Sequence, residues 1–275
     1  MELTKISTCF QYSLMYLPSK SLLYCWIHKA ASTSWNKIFF DISHIRVREQ
    51  DLHTAAQRFR PETDNIRELF KSSSLSFLFV RHPFERLVSA FVDKFETGSK
   101  SNWMYKMYAG DILNVTSDRG TPKDNAYLAS MYRKLRPLDR PTFVDFVSYL
   151  LRTPVWDYND HWAPYWLHCH LCGAHRSVCL LLGQPHTSLC SFDVIGKFET
   201  IRSDTEYIRE EAGLKIETGE FPWQNKKGSV TSVTSVSQEY FKQIDMESRR
   251  KLYEIYRIDF EMFDYSSQQY FTREE

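Results

Sequence analysis

The sequence predicts an α/β fold in which a parallel β-sheet is flanked by helices on both faces. Two segments, Leu22–Phe40 and Leu75–Phe95, each begin as a short apolar strand, pass through a polar turn and continue as an amphipathic helix. A third strand followed by a helix is predicted over residues 193–217. Strands that alternate with helices favour a parallel sheet, because each helix serves as the crossover between two strands. The 275 residues, 43% of them hydrophobic, suffice for one substantial core, so we expect a single domain over residues 1–275.

The first strand–helix segment follows an entry segment, residues 1–20, with room for one edge strand. Leu22–Ile27 is the predicted buried strand, and apolar residues resume at helical spacing from Trp35. The turn between them carries a cation, two alanines and a run of hydroxyls: His28, Lys29, Ala30, Ala31, Ser32, Thr33 and Ser34. Backbone N–H groups at a helix start favour anions, and the lysine adds a full charge. The hydroxyls are also consistent with an ordinary helix cap.

The second segment has the same design. Leu75–Val80 is the predicted strand, Arg81 follows as its last residue, and Pro83 suits the first turn of a helix. The guanidinium of Arg81 is a planar fork of donors that fits a phosphate. Ser89 lies about two helical turns further on and shares the face of the helix start, whereas Arg86 has nearby carboxylates as alternative partners. Two such turns, at the carboxyl ends of parallel strands, suit a ligand with two separate phosphate-type groups.

The rest of the chain is predicted to be mainly helical, with an irregular middle. We expect a helical stretch near Asp51–Phe70 and loops and short helices over residues 97–140. A helix is predicted over 141–152, an irregular segment rich in Cys, His and Trp over 153–192, and a loop over 221–236. One last long helix is expected over 237–263, with its apolar side chains turned inward: Ile244, Leu252, Ile255 and Tyr256.

The order of these motifs resembles a known family. A lysine-bearing turn followed by R-x-P-x-x-R-x-x-S-x-F is similar to the carbohydrate sulfotransferases that use PAPS (3′-phosphoadenosine-5′-phosphosulfate), in the group of the chondroitin and dermatan 4-O-sulfotransferases and the HNK-1 sulfotransferase. The resemblance implies a P-loop-like nucleotide-binding sulfotransferase core, although the glycine-free turn is not a Walker A sequence and disfavours a P-loop kinase. It implies that residues 28–34 hold the 5′-phosphosulfate and that Arg81 and Ser89, with Arg86 nearby, hold the 3′-phosphate.

Further family-like stretches cover most of the chain, among them Asn159–Trp162 and Asp193–Glu199. Ser32 stands where the family usually has cysteine, His28 where it often has proline, and His82 where it has aspartate. None of these departures removes the charge of the lysine or arginine. The largest departure is an apparent insertion over residues 173–189.

Catalysis would need a cation for the leaving phosphate and a base for the acceptor hydroxyl. Lys29 is the expected cation, because charge builds on the leaving oxygen during transfer. His161 is the expected base, because it lies in the family-like Asn-Asp-His-Trp stretch and a histidine titrates near neutral pH. A structural histidine packed beside Trp162 is the alternative for His161, and Glu85 and Glu199 are the rival bases.

The cysteines raise the question of a metal. Cys169 and Cys172 form half of a common zinc motif, but Cys179 and Cys190 lack the close spacing of a second half. The resemblance explains Cys169 and Cys172 as disulfide partners, so no metal is expected.

The resemblance predicts an O-sulfotransferase that moves the sulfuryl group of PAPS to a glycan or proteoglycan, chondroitin- or dermatan-like or another chain containing N-acetylhexosamine. The alternative is a non-catalytic nucleotide- or glycan-binding relative. A net charge of +1 gives no drive towards nucleic acid. Local basic clusters are candidates for the acceptor, or simply solvated faces: Arg133, Lys134, Arg136, Arg140, Lys226 and Lys227.

The resemblance also implies a Golgi protein with an N-terminal membrane anchor. The chain shows neither a signal peptide nor a run of about 20 apolar residues, so the anchor and its stem are expected to be absent from it, and with them any membrane contact. The sequon Asn114-Val115-Thr116 slightly supports a lumenal location.

Overall fold

The computed structural model describes residues 13–63, 65–117, 140–169, 192–215 and 230–272. The possible insertion at 173–189 lies outside these ranges, as do Cys172, Cys179, Cys190 and the basic clusters apart from Arg140. The chain divides into two compact units. The first comprises Met1–Pro83, Asn159–Val230 and Ile258–Tyr265, and the second comprises Phe84–Tyr158, Thr231–Arg257 and Ser266–Glu275. The expectation of a single domain stays a prediction.

A four-stranded sheet forms the centre of the first unit and confirms the α/β class. Its strands are β1 (Leu14–Leu17), β2 (Leu22–Cys25), β3 (Leu75–Val80) and β4 (Val194–Lys197), in the order β1-β2-β3-β4. β2, β3 and β4 are parallel, as predicted. The expected edge strand in the entry segment is β1, but it runs antiparallel to β2, so the sheet is mixed. The reason is the short turn Pro18–Lys20, since only antiparallel neighbours can be joined by so few residues.

The helices of the first unit follow the predicted strand–turn–helix pattern. α1 (Ser32–Ile42) follows β2, α2 (Leu52–Ala55) and α3 (Ile66–Ser72) precede β3, and α7 (Ile201–Glu211) follows β4. Strand residues alternate between two cores, as the pleat requires. Tyr24 and Phe77 stack at 4.7 Å between centroids in the core that α1 covers. Leu23 and Leu78 lie in the core on the other face, together with Tyr165 and Phe263.

The second unit is helical. It contains α4 (Pro83–Phe91), a π-helical turn at Val92–Glu96, α5 (Trp103–Ser117), α6 (Phe143–Arg152) and α8 (Val230–Lys242), except that Pro83 and Val230 belong to the first unit. α9 (Met246–Met262) begins in this unit and ends in the first. Aromatic rings form the core of the second unit. The ring centroid of Phe91 lies 5.4 Å from that of Phe143 and 5.7 Å from that of Phe146. Within the described ranges, none of the helices has both the length and the apolar composition that a membrane span requires.

Several predicted boundaries are wrong. The single last helix is two helices, because Asp245 accepts a hydrogen bond from the Ser248 backbone N–H at 2.8 Å and so starts α9 anew. Residues 230–236 belong to α8 and not to a loop, and Ile255 is only half-buried. The stretch near Asp51–Phe70 is split into α2 and α3, with Pro61 between them. Arg81 lies just beyond β3, which ends at Val80.

Candidate active site

The turn after β2 reaches α1 through backbone that glycine would normally adopt. Lys29 has φ 69° and Ala31 has φ 63°, both in the left-handed region. A side chain there costs on the order of 1 kcal/mol each, and this is how a glycine-free sequence makes the turn. Ala31 is the N-cap of α1 and no side chain caps the helix, so the alternative that the hydroxyls form an ordinary cap is wrong.

The hydroxyls of this turn lie in the first turn of α1, which contains no acidic residue. Ser32 and Ser34 are buried, whereas Thr33 and Lys29 are half-buried. A helix start with hydroxyls, a neighbouring lysine and no carboxylate is electrostatically suited to an anion. The assignment of residues 28–34 to the donor stays a prediction.

The turn after β3 fixes Arg81 through its backbone. The hydroxyl of Tyr165 accepts from the Arg81 N–H at 2.8 Å and donates to the Arg81 carbonyl at 3.0 Å. The guanidinium lies over the ring of Phe198, 4.7 Å from its centroid, at the carboxyl end of β4. Since only 7% of Arg81 is exposed, its charge is held in place at this edge of the sheet.

Glu199, one of the rival bases, anchors the same turn. One carboxylate oxygen accepts from the backbone N–H of His82 at 3.0 Å and the other accepts from the hydroxyl of Tyr265 at 2.8 Å. The ring of His82 packs edge-on against Phe260 and Tyr265, at 5.3 and 5.4 Å. Two donors on its carboxylate favour a structural role for Glu199. His82, which stands where the resembled family has aspartate, therefore contributes aromatic contacts at this position.

A pair of imidazoles shares one carboxylate beside the first turn. His161 approaches Asp160 at 2.9 Å through Nδ1, and His28 approaches the other oxygen of Asp160 at 3.4 Å through Nε2. The two rings are stacked, with centroids 3.6 Å apart and planes inclined by 12°. The Asn159 side-chain oxygen lies 2.8 Å from His161 Nδ1. The two histidines and the aspartate are each at most 9% exposed.

Asp160 is held ionised by this arrangement. Burial acts to raise the pKa of its carboxyl, but the hydrogen bonds from His161 and His28 and their charges hold that pKa well below its usual range. A buried carboxylate that stays ionised fixes the ring that donates to it. Nδ1 of His161 therefore carries a proton, and when the ring is neutral the lone pair is on Nε2.

The same three side chains satisfy the distance requirement of a metal site, since their ligand atoms lie within 4.8 Å of one another. Their orientation does not fit one. An imidazole binds a metal along the lone pair in its ring plane, about 2.0–2.1 Å from the nitrogen. Because the two rings are parallel and 3.6 Å apart, one ion could not lie in both planes. The cluster is better described as two stacked imidazoles that share the carboxylate of Asp160.

One contact of the donor turn was missed by the sequence analysis. His53, on α2, lies 3.2 Å from Thr33 Oγ1 through Nε2 and 3.3 Å from Asn36 through Nδ1. Its ring also packs near Trp26 and His28, at 5.3 and 4.8 Å between centroids. Nothing in the sequence around His53 marks it, because the contact arises only when α2 folds back on α1.

A disulfide between Cys25 and Cys169 joins the two segments that bear the imidazole pair. Cys25 is the last residue of β2, shortly before His28, and Cys169 follows the segment of Asp160 and His161. The structure thereby corrects the expected role of Cys172 as partner of Cys169: the partner is Cys25. Spacing could not have found this pair, since 144 positions separate the two cysteines.

The remaining predicted residues lie elsewhere. Arg86 and Ser89 are on α4 in the second unit, where Arg86 is buried and Ser89 half-buried, and their assignment to the donor stays a prediction. Glu85, the other rival base, is buried on the same helix. Arg140 donates to the backbone carbonyls of Phe95 and Gly98 at 2.9 and 2.6 Å, which gives this member of the basic clusters a structural function.

Curated relatives are carbohydrate sulfotransferases. The chain is 28% identical to carbohydrate sulfotransferase 11 of Mus musculus over 261 residues, which is 90% of this chain and 66% of that protein. It is 25% identical to carbohydrate sulfotransferase 12 of Xenopus laevis, covering 89% of this chain and 58% of the relative. For carbohydrate sulfotransferase 8 of Homo sapiens the identity is 27%, with 89% and 53% covered.

The chain thus spans roughly half to two thirds of the length of these relatives. No solved structure matches it significantly. Comparison with protein families assigns residues 12–266, nearly the whole chain and both strand–turn–helix units within it, to the Sulfotransferase family. The chain belongs to that family.

Proposed function

We propose that this chain is a carbohydrate O-sulfotransferase that transfers the sulfuryl group of PAPS to a hydroxyl of a glycan. The observation that carries the proposal is the stack of His28 on His161 at 3.6 Å. It puts a candidate base, oriented by an ionised carboxylate, directly beside the turn that bears Lys29. The names of the curated relatives support the class of acceptor.

The transfer can be written with the residues of the first unit. The acceptor oxygen attacks the sulfur in line with the bridging oxygen of the 5′-phosphate, so one S–O bond forms while the other breaks. Lys29 and the first turn of α1 stabilise the charge that builds on the leaving phosphate. His161 takes the acceptor proton on Nε2, and Asp160 stabilises the resulting imidazolium. The products are a sulfate ester and PAP, the desulfated donor.

Donor affinity is assigned mainly to the 3′-phosphate. Arg81 would form charge-assisted hydrogen bonds with it, and Arg86 and Ser89 are proposed to assist. His28, which the sequence analysis placed among the donor ligands, contacts the base in this structure. We therefore propose that His28 has two roles. It belongs to the imidazole pair, and it also forms the donor turn together with residues 29–34.

Chondroitin- or dermatan-like chains and other glycans with N-acetylhexosamine are the proposed acceptors, free or on a proteoglycan. A Golgi lumen is the proposed compartment. The disulfide between Cys25 and Cys169 supports this location, because disulfides persist in the oxidising secretory pathway.

The proposal is tested by PAP binding and by transfer of labelled sulfate from PAPS to a panel of glycans. Thermal stabilisation by PAP together with transfer to a glycan is expected. PAP binding without transfer to any glycan would favour the non-catalytic relative, and absence of PAP binding would refute the proposal.

Two variants assign the roles. Lys29→Ala should lower kcat severely and leave the fold intact, because the charge that it answers grows in the transition state. Lys37→Ala is the matched control, since Lys37 lies on α1, the helix that follows the turn, in an exposed pair with Asp41. A folded Lys29→Ala protein with near-normal kcat would exclude the assigned role.

Arg81→Ala should weaken PAP binding by about 10- to 150-fold, since a hydrogen bond to a charged group contributes about 1.5–3 kcal/mol. Arg48→Ala, at an exposed arginine paired with Asp51, is the control. Calorimetry with PAP and with its analogue lacking the 3′-phosphate locates the contact. If Arg81→Ala still discriminates the two ligands as well as wild type does, the arginine does not bind the 3′-phosphate.

A further inference from the structure

His53 links two polar side chains of α1 through its two ring nitrogens. Nε2 lies 3.2 Å from the hydroxyl oxygen of Thr33, and Nδ1 lies 3.3 Å from the amide nitrogen of Asn36. Asn36 is fully buried, whereas Thr33 and His53 are half-buried. Thr33 belongs to the donor turn, so His53, which lies outside that turn, is a hydrogen-bond partner of one of the turn's hydroxyls.

The direction of these hydrogen bonds follows from the donor on Asn36. An amide nitrogen only donates, so Nδ1 of His53 accepts from it. A neutral imidazole that accepts at Nδ1 carries its proton on Nε2, and Nε2 therefore donates to the oxygen of Thr33. With its oxygen accepting from His53, the hydroxyl of Thr33 directs its own proton to another acceptor.

A phosphate oxygen is such an acceptor, because phosphate oxygens at neutral pH accept hydrogen bonds and rarely donate. We infer that His53 is a positioning residue that turns the Thr33 hydroxyl towards the 5′-phosphate end of the donor. The inference rests on the proposed function, since it requires a phosphate at the turn of residues 28–34. In this arrangement α2 contributes to donor binding indirectly, because His53 acts through the hydroxyl of Thr33 and does not touch the donor.

The test is a double-mutant cycle, with the dissociation constant of PAP measured by calorimetry. His53→Phe keeps the ring beside Trp26 but removes both nitrogens, and Thr33→Val removes the hydroxyl at nearly constant volume. Each single change should weaken PAP binding by about 2- to 12-fold, the effect of one neutral hydrogen bond. The double variant should bind no more weakly than Thr33→Val, because His53 acts through the hydroxyl.

A matched pair of variants separates hydrogen bonding from packing and covers the case in which His53→Phe does not fold. His53→Gln and His53→Met have side chains of similar length, but only glutamine can donate to Thr33. Glutamine should restore affinity to within about twofold of wild type, and methionine should not. Thr54→Val, at the exposed neighbour on α2, controls for a change in the helix itself.

The outcomes separate the two levels of inference. Wild-type protein that does not bind PAP would overturn both the proposed function and the role of His53. PAP binding with additive effects of the two changes, or with equal affinities for the glutamine and methionine variants, would overturn the role of His53 alone. Strong coupling together with rescue by glutamine would support it.

Discussion

Replacing Asp160 with asparagine tests the imidazole pair most directly. The carboxylate is 9% exposed and receives two imidazole nitrogens, His161 at 2.9 Å and His28 at 3.4 Å. Asparagine has the same shape but no charge. Its amide nitrogen can only donate, so one of the two contacts loses its acceptor, and the imidazolium that forms during transfer loses its counter-charge.

The expected loss of stability follows from these contacts. A hydrogen bond to a charged group contributes about 1.5–3 kcal/mol, and the contact at 3.4 Å lies near the outer limit for such a bond and contributes less. We expect Asp160→Asn to lower the free energy of unfolding by about 2–3 kcal/mol at pH 7. For a protein of this size that corresponds to a fall in Tm of roughly 4–12 °C.

The expected loss of activity is larger than the loss of stability alone would cause. A positioned general base contributes about 100- to 10,000-fold to a rate. Without the carboxylate, only the side-chain oxygen of Asn159 still holds the proton of His161 on Nδ1, and the imidazolium formed during transfer has no counter-charge. We expect kcat to fall by at least about 100-fold, with little change in the affinity for PAP.

The pH dependence of stability provides an independent check. The hydrogen bonds and charges of the two histidines hold the pKa of Asp160 well below its usual range, so the folded state keeps this carboxylate ionised at a lower pH than the unfolded state does. Its contribution is therefore complete above the unfolded pKa of about 3.9 and is lost as the pH falls towards the folded value. The difference in stability between wild type and Asp160→Asn should shrink below about pH 4.

Chemical denaturation over a pH series and steady-state transfer of labelled sulfate measure these effects. Asp157→Asn, at an exposed carboxylate nearby in the sequence, is the control and should change neither quantity. A folded Asp160→Asn protein with near-normal kcat would refute the assignment of His161 as a base oriented by Asp160. A difference in stability that does not change below pH 4 would refute the ionised carboxylate.

Two further predictions concern the first unit. Gly196→Ala should lower the free energy of unfolding by about 1–3 kcal/mol in urea titrations, because a Cβ would lie 2.5 Å from the ring of Phe79. Gly110→Ala is the control and should not lower it, because the space around Gly110 is open. Equal losses of stability in the two variants would contradict the argument. Cys25→Ser should cost about 2–5 kcal/mol, and Cys169→Ser and the double variant should cost the same; a clearly larger loss in the double variant would contradict a disulfide between these two cysteines.

The elements that sequence reasoning placed well are those whose signals are local. Leu75–Val80 is a strand because a continuous apolar run ends at a polar turn, and Pro83 starts the next helix because its missing N–H is not needed there. The parallel direction of β2, β3 and β4 follows from the helices between them. The direction of β1 could not be predicted without the short turn Pro18–Lys20.

The break between α8 and α9 was predictable in principle. Asp245, a residue type that favours the N-cap, followed by Glu247 in the first turn, is a helix-start signal within an otherwise periodic stretch. The apolar periodicity on both sides of Asp245 nevertheless favours a single helix. A capping residue inside a periodic stretch of more than 25 residues therefore indicates two helices.

The imidazole pair could not be predicted in full, because its members come from segments far apart in the chain. His161 could be singled out from its neighbours, but the sequence contains no sign that His28 stacks on it or that both rings share Asp160. The family resemblance places His28 with Lys29 in the donor turn. Tertiary packing, and not the local pattern, decides which of two adjacent polar residues faces the base.

Glycine would relieve the backbone at Lys29 and Ala31, yet both positions carry side chains at positive φ. At Lys29 the proposed chemistry explains why a side chain is present at positive φ. Glycine could form the turn, but it would not provide the cation that stabilises the leaving phosphate. The strain must then be held by the surrounding structure. Residue 28 is fixed by its stack on His161, α1 follows immediately after Ala31, and the disulfide from Cys25 to Cys169 holds the segment that bears His161. The same contacts that position the base therefore also hold the lysine turn in its strained conformation, so loosening either one should disturb both the base and the donor site.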